Sequence, residues 1–577
     1  MNNNSILKFK RLAFLFIASA IFSTTAVADI PGKDNPDRKN FEIVKNLDIF
    51  YTLFRELNSY YVDETNPEQL IKSGIDAMLE SLDPYTTYIP EEEMDDFRFM
   101  TTGEYGGIGA LITKRGEYVV ISEPYKDFPA QKAGLKAGDR ILKVDQFNAK
   151  GAETAEVSDK LKGPAGTIVE IVVERPGLKE EQIFEVKREI IQINPVPYYG
   201  MLDNKTGIII LNNFTSNCTD VIEKAFTDLK ENKGMEQLVL DLRSNPGGLM
   251  DEAVKTANLF LPRGSEVVST KGKISQWDNT YRTPRNPIDT IMPLTVLINR
   301  GSASASEIVA GAIQDHDRGI IIGQRSFGKG LVQTTRNLAY NSSLKVTTAK
   351  YYIPSGRSIQ AVDYAQRDED GSVELIPDSL MSKFYTSGGR PVYDGGGISP
   401  DIIVQPDSYA NITIALMAQQ TIFDFATKFV TKNESIDKPG IFKIDDETYE
   451  QFIAYVKNLE DFTYTSRSNE LYRQLKNAAK NEEYYTIDEK AFEEIEELLK
   501  PNAERSLDIF SEEVKNLLTM ELLTRYYHQE GSILHSIEND EEIHRAVEVL
   551  NDSETYQNML NGTIPTHAGD KRMGGRN

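Results

Sequence analysis

Residues 301–330 read GSASASEIVAGAIQDHDRGIIIGQRSFGKG, with serines at 302, 304 and 306 and a lysine, Lys329, between two glycines. A serine hydroxyl becomes a nucleophile when a neighbouring base removes its proton, and histidine is the usual base. The chain has five histidines. His528, His535, His544 and His567 fall in the C-terminal region, and His316 sits in the polar helix exit QDHDRG, where a solvated side chain is expected. A Ser-His-Asp arrangement therefore has little support. Lysine can replace histidine when burial makes its neutral amine accessible. Lys329 is placed for that role, since its flanking glycines allow close backbone approach and apolar runs lie on both sides. Gln333 is near enough to hydrogen-bond the amine and orient it.

The elements around these residues make the chemistry plausible. LTVLIN (294–299) reads as a buried strand, residues 300–303 as a turn, and the apolar spacing of Ile308, Val309, Ala312 and Ile313 as a helix. The serines thus lie at the carboxyl end of a strand and the start of a helix, where free N–H groups and the helix dipole favour an oxyanion. Each serine also suits an ordinary helix cap, and spacing alone does not choose among the three. DLRSNPGGLM (241–250) ends another strand, and Gly247 or Gly248 can offer one backbone N–H of an oxyanion hole, with Ala305 N–H as the other.

Around that segment the texture changes several times. After a positively charged start (Lys8, Lys10, Arg11), an apolar stretch from Leu12 to Phe22 and small residues ending at Ala28 read as a secretory signal peptide, 1–28. Helical spacing dominates 29–98. Short strands broken by Gly, Pro and Asp fill 99–191, and alternating strand and helix patterns fill 192–408, which implies βα units on a mainly parallel sheet. Long amphipathic segments occupy 409–562, and a polar tail, 563–577, is expected to be disordered. Two insertions, 272–289 and 363–390, carry no arguable site. The formal charge of -24 disfavours nucleic acid as a partner. The single cysteine, Cys218, permits no intramolecular disulfide and is expected in the core.

Taken together, DLRSNPGG, GSASASEIVAGAIQD, RSFGKGLVQ, TTAKYYIPSGRSIQ, GGISPDIIV and the upstream LDPYTTY resemble the carboxyl-terminal processing, or tail-specific, serine protease family across roughly residues 40–406. The resemblance implies a multidomain α+β protein: a ClpP/crotonase-like α/β protease core, an inserted β-rich PDZ domain, and helical N- and C-terminal regions. It places the nucleophile at Ser304, the general base at Lys329 and a lysine-orienting role at Gln333, with no metal and no cofactor. It also implies capture of protein substrates by their free C-terminal tails. In YGGIGALI (105–112), Gly106, Gly107, Ile108 and Gly109 would then offer N–H groups to a terminal carboxylate while the strand pairs with the tail. An exported, periplasmic or envelope-associated endopeptidase follows, with an adaptor or a second copy as a partner for its helical regions. The competing expectation is a catalytically silent PDZ scaffold that gathers envelope proteins.

Overall fold

The computed structural model describes residues 36–364, 367, 372–405, 408–486 and 488–567, so the expected signal peptide and residues 568–577 of the tail lie outside the described residues. The chain divides into two units, Met1–Met78 and Leu79–Asn577. In the first, helix α1 (Pro36–Tyr60) leaves Phe41, Val44, Leu47, Phe50 and Leu53 exposed. No helix among the described residues is long and apolar enough to cross a membrane.

The second unit is built around a six-stranded sheet. Its order is Tyr198–Met201, β1 (Thr206–Ile210), β2 (Gln237–Asp241), β3 (Leu294–Ile298), β4 (Ile320–Gly323) and Ile402–Ile403. All neighbours are parallel except the first pair, as the alternating pattern implied. The register aligns the strand ends, with Asp241 opposite Leu297 and Ile298 opposite Gly323. The loops leaving β2, β3 and β4 therefore emerge side by side at one edge of the sheet.

A parallel sheet of this composition needs cover on both faces. Helices Met250–Phe260 and α2 (Ala305–Asp315) cover one face through a core that includes Leu240, Val296, Ala257 and Val309. On the other face, Ile208, Val239, Leu297 and Ile322 pack against Ile543, Val549 and Tyr556 from helices Glu541–Asn551 and Ser553–Leu560. These last two helices lie in the segment expected as the helical C-terminal domain, and they cover the second face of the protease sheet. Tyr556 Oη bonds to both the N–H and the carbonyl of Leu294, at 3.0 and 3.1 Å. At the strand ends, Arg243 donates to Asp241, Asp540 (2.7 Å) and Glu542 (2.5 Å), which ties the helix start to the sheet. Residues 563–567 are also ordered, and His567 N–H donates to Asp401 O at 2.9 Å.

The expected helical module to residue 98 also ends early. Thr87–Ile89 pairs antiparallel with strand β6 (Ser343–Tyr352), placing LDPYTTY on the core's second sheet. Asp83 makes the turn possible: its carboxylate accepts the N–H groups of Tyr85 and Thr86 at 2.9 and 2.8 Å. Strand β5 (Leu331–Asn337) pairs with β6 on the same sheet. Between residues 104 and 192 lies a compact antiparallel sheet closed by helices Pro129–Ala133 and Thr154–Leu161 around Val119, Ile121, Ile141 and Val157.

The helices from Asn411 onward gather around Phe425, Phe452 and Leu518. They also meet the antiparallel domain, where Arg115 pairs with Asp424 at 2.5 Å. Cys218 is fully buried, as expected. Replacing Arg243 with Met leaves three carboxylates facing one another, so urea unfolding should show a loss of about 3–5 kcal/mol. Amide exchange in Glu541–Asn551 should rise in parallel; an unchanged exchange rate there would contradict this anchoring role.

Candidate active site

The three loops from β2, β3 and β4 meet at the start of α2. Ser302 and Ser306 are fully buried and committed to the backbone: Ser302 Oγ donates to Leu242 O at 2.8 Å and Ser306 Oγ to Asn245 O at 2.9 Å. Ser304 alone of the three lines a cavity of 640 Å³, together with Gly247, Gly248, Met250, Lys329 and Gln333. It caps α2, its Oγ accepting from Glu307 N–H while its own N–H donates to Glu307 Oε2 at 2.8 Å. Ser304 sits at φ 54° and ψ −111°, a positive-φ conformation that costs a non-glycine residue about 1–3 kcal/mol.

Glu307 was absent from the sequence reading, yet it organises the site. Its fully buried carboxylate accepts Ser304 N–H, Lys329 N–H (2.9 Å), Gly328 N–H (2.7 Å) and Ser326 Oγ–H (2.5 Å). Burial pushes the carboxyl up to about 7, against the pull of those four donors. The nearest sequence signal is the S-x-x-E spacing of Ser304 and Glu307, a helix-cap pattern that says nothing of the distant loop at 326–329. Tyr351 adds a second brace, its hydroxyl donating to the carbonyls of both Ser304 (3.2 Å) and Lys329.

Lys329 is half-buried, and burial together with the nearby ammonium of Lys345 pushes its pKa down to about 8. The residue is thus the partly desolvated amine expected. Among the described residues its Nζ forms no hydrogen bond with Ser304 or Gln333; it lies over the Tyr85 ring, 4.4 Å from the centroid. The Gln333 amide donates instead to Thr347 Oγ1 at 3.2 Å, so Gln333 is a wall of the cavity and does not hold the lysine in this arrangement. His316 is half-buried rather than solvated. Its Nε2 lies 2.7 Å from Glu266 O, at the far end of α2 from Ser304.

The glycines divide their work. Gly247 N–H is taken by Asn245 Oδ1 at 2.9 Å, and a Cβ on Gly247 (φ 100°) would stand 2.9 Å from both Ala305 N and Ser304 Cβ. Gly248 has φ 144°, and its Cβ would meet Phe214 O at 2.3 Å. Neither Gly248 N–H nor Ala305 N–H forms a hydrogen bond among the described residues. Asn245, also missed from sequence, is fully buried; its amide donates to Leu211 O at 2.8 Å and its carbonyl accepts Ala303 N–H at 3.0 Å.

In the antiparallel domain, YGGIGALI is two strands rather than one. Gly106 and Gly107 pair with Ile190 and Glu189, and a separate strand, Ala110–Arg115, starts after Gly109. The break is held by Ala130 N–H on Ile108 O (2.8 Å) and Tyr125 N–H on Gly109 O (2.9 Å). Gly109 (φ 73°) packs so closely that a Cβ would stand 2.6 Å from Phe128 Cβ. Ala110–Arg115 pairs on one side only, with Tyr118–Pro124, and leaves an open edge among the described residues. No group of three His, Cys, Asp or Glu side chains suited to a metal stands among the described residues.

Comparisons with known proteins agree in order along the chain. Residues 120–175 match the PDZ domain, residues 205–368 match Peptidase family S41, and residues 412–550 match the probable PDZ-protease C-terminal helical domain. The chain is 37% identical over 355 residues to a carboxy-terminal-processing protease of Bartonella bacilliformis, covering 61% of this chain and 81% of that protein. It is 35% identical over 371 residues to a probable CtpA-like serine protease of Staphylococcus aureus, covering 62% and 72%. Among solved structures it is similar to a photosystem II D1 C-terminal processing protease, at 32% identity and a TM-score of 0.35, covering 62% of this chain and 92% of that one. These findings define a serine protease that carries a PDZ domain. The chain belongs to peptidase family S41, among the carboxy-terminal-processing proteases.

Replacing Glu307 with Gln puts an amide –NH2 against N–H donors that a carboxylate satisfied, at about 1–3 kcal/mol for each unpaired group. Both loops then lose their common anchor. Proteolytic kcat/KM should fall about 100-fold or more and the melting temperature should drop; retention of activity within about threefold would show that the bridge is dispensable.

Proposed function

We propose that the protein is an exported endopeptidase that captures the C-terminal tail of a substrate protein in its PDZ domain and cleaves it with a Ser304–Lys329 dyad. The observation that carries this reading is a single cavity containing the one serine of the turn whose hydroxyl does not donate to a backbone carbonyl among the described residues, and a lysine whose proton affinity is lowered. Ser304 Oγ attacks the scissile carbonyl while the neutral amine of Lys329 takes its proton. The tetrahedral oxyanion is received by Gly248 N–H and Ala305 N–H, the two free donors beside Ser304, in preference to Gly247. Collapse expels the amine product, which takes the proton back from Lys329, and leaves an acyl-enzyme on Ser304. Water, deprotonated by Lys329, then releases the acyl group. Because Lys329 starts over Tyr85, its side chain must swing toward Ser304 when substrate arrives.

For the tail, the open edge of Ala110–Arg115 provides strand pairing, and the turn from Gly106 to Gly109 provides the carboxylate site. Export rests on the leading sequence alone. An adaptor or second copy would bind the helical regions, and the exposed apolar side chains of α1 support that placement.

Three measurements test this reading. Cleavage of an unfolded protein with an apolar C-terminal tail should vanish in Ser304→Ala and Lys329→Ala, and wild-type turnover by either would refute the dyad. Amidating the tail carboxylate should raise KM about tenfold or more; an unchanged KM removes the PDZ role. Only neutral Lys329 can accept a proton, and it makes up about a tenth of the total at pH 7 if the pKa is near 8. Wild-type kcat/KM should therefore rise with pH through an apparent pKa near 8.

The same shift affects stability. Lys329 binds its proton less tightly folded than unfolded, so folding stability should rise between about pH 8 and pH 10.5. Lys329→Met, which removes the buried charge, should stabilise the fold at pH 7 by about 1–3 kcal/mol while abolishing cleavage. Destabilisation by that substitution would show that Lys329 is not held in a desolvated setting.

A further inference from the structure

Resting Lys329 is held by an aromatic ring, and that ring belongs to a turn whose role the dyad does not explain. We propose that Tyr85 is a positioning residue that holds the Lys329 ammonium over its ring between turnovers and so sets the proton affinity of the catalytic base. The inference rests on the Ser304–Lys329 reading and adds to it a partner on the opposite side of the lysine.

Tyr85 is built to stay in place. Its N–H donates to Asp83 Oδ1 at 2.9 Å, and Asp83 also accepts the N–H and hydroxyl of Thr86, at 2.8 and 3.0 Å. Thr86 Oγ1 in turn accepts Thr347 N–H at 3.1 Å, which locks the turn to β6. The Tyr85 ring packs edge-on against Tyr364 with centroids 6.0 Å apart, and Tyr364 donates its hydroxyl to Tyr85 Oη at 3.4 Å. The same Thr347 engages Gln333, so the side chain expected to orient the lysine is occupied in holding the sheet. With Nζ 4.4 Å from the ring centroid, the ring face is the partner the structure gives the ammonium.

A ring face attracts a cation and has no comparable attraction for a neutral amine. It therefore favours protonated Lys329, together with the carboxylates of Glu307 on α2 and Asp83 in the turn. Burial and the ammonium of Lys345 on β6 act in the opposite sense. Tyr351, on the same strand, bonds the backbone carbonyls of Ser304 and Lys329 and leaves the amine free to move. When a substrate carbonyl draws Ser304 into reaction, the lysine leaves the ring and gives up its proton.

The test uses the full chain with wild-type Tyr85, Tyr85→Phe and Tyr85→Leu. The readout is the pH dependence of Ser304 phosphonylation by a small fluorophosphonate, in which Ser304 Oγ bonds to phosphorus, fluoride leaves and the base takes the hydroxyl proton; it needs the base and not the PDZ domain. Leucine keeps the site apolar and removes the ring, so the acidic limb should move down by about half to one pH unit, raising phosphonylation at pH 7 about three- to tenfold. Phenylalanine keeps the ring and should keep the limb at its wild-type pH. The inference is overturned if the leucine limb coincides with wild type or moves upward, or if phenylalanine shifts it as far as leucine does. Tyr85→Met, with the same expected direction, replaces leucine if that variant melts below the assay temperature. Failure of the wild-type enzyme to be phosphonylated at Ser304 would instead refute the dyad, whatever Tyr85 does.

Discussion

One buried carboxylate joins the two halves of the active site. Glu307 lies on the first turn of the helix that Ser304 caps, and it also takes the backbone N–H groups of Gly328 and Lys329 from a loop that arrives from the next strand. A carboxylate can be buried without a cation only when hydrogen bonds replace its hydration, and four donors do so here. Those donors also fix Ser304 against the loop that carries Lys329. Ser304 itself sits at a positive φ, whereas the same reciprocal pairing at Glu153 and Glu156 is made from an extended backbone.

The bridge depends in turn on the sheet beneath it. Parallel strands in register deliver three loops at one edge, and such a sheet forms only if both faces are covered. The second cover comes from helices near the end of the chain, anchored by Arg243 and Tyr556. A change in Glu541–Leu560 can therefore reach the active site through the loop at 242–248 without touching a catalytic group.

Lys329 sits between opposing demands. Desolvation and Lys345 lower its proton affinity, while Glu307 and Asp83 raise it. The outcome near 8 is a compromise in which the lysine remains mostly charged at neutral pH yet can lose its proton at modest cost. Ser304 and Lys329 line one cavity without a hydrogen bond between their side chains among the described residues.

Much of this was legible in the primary structure. Alternating strand and helix texture identifies the α/β core because hydrophobic period is a local property, and strand-end placement marks the serines because chemistry collects there. The lysine could be singled out as the candidate base because the one histidine of that stretch, His316, sits in a polar helix exit. What local spacing left open was the choice among Ser302, Ser304 and Ser306, which only the family resemblance addressed, and between Gly247 and Gly248. Hydrogen bonds between distant segments bear on both: Leu242 and Asn245 claim the hydroxyls of Ser302 and Ser306, and Asn245 claims Gly247 N–H. Tertiary structure also placed Thr87–Ile89 and the last two helices in the core, and gave Gln333 to Thr347 and Lys329 to Tyr85. Local pattern determines which residues can do chemistry; only the meeting of segments hundreds of residues apart determines which donors and acceptors are already taken.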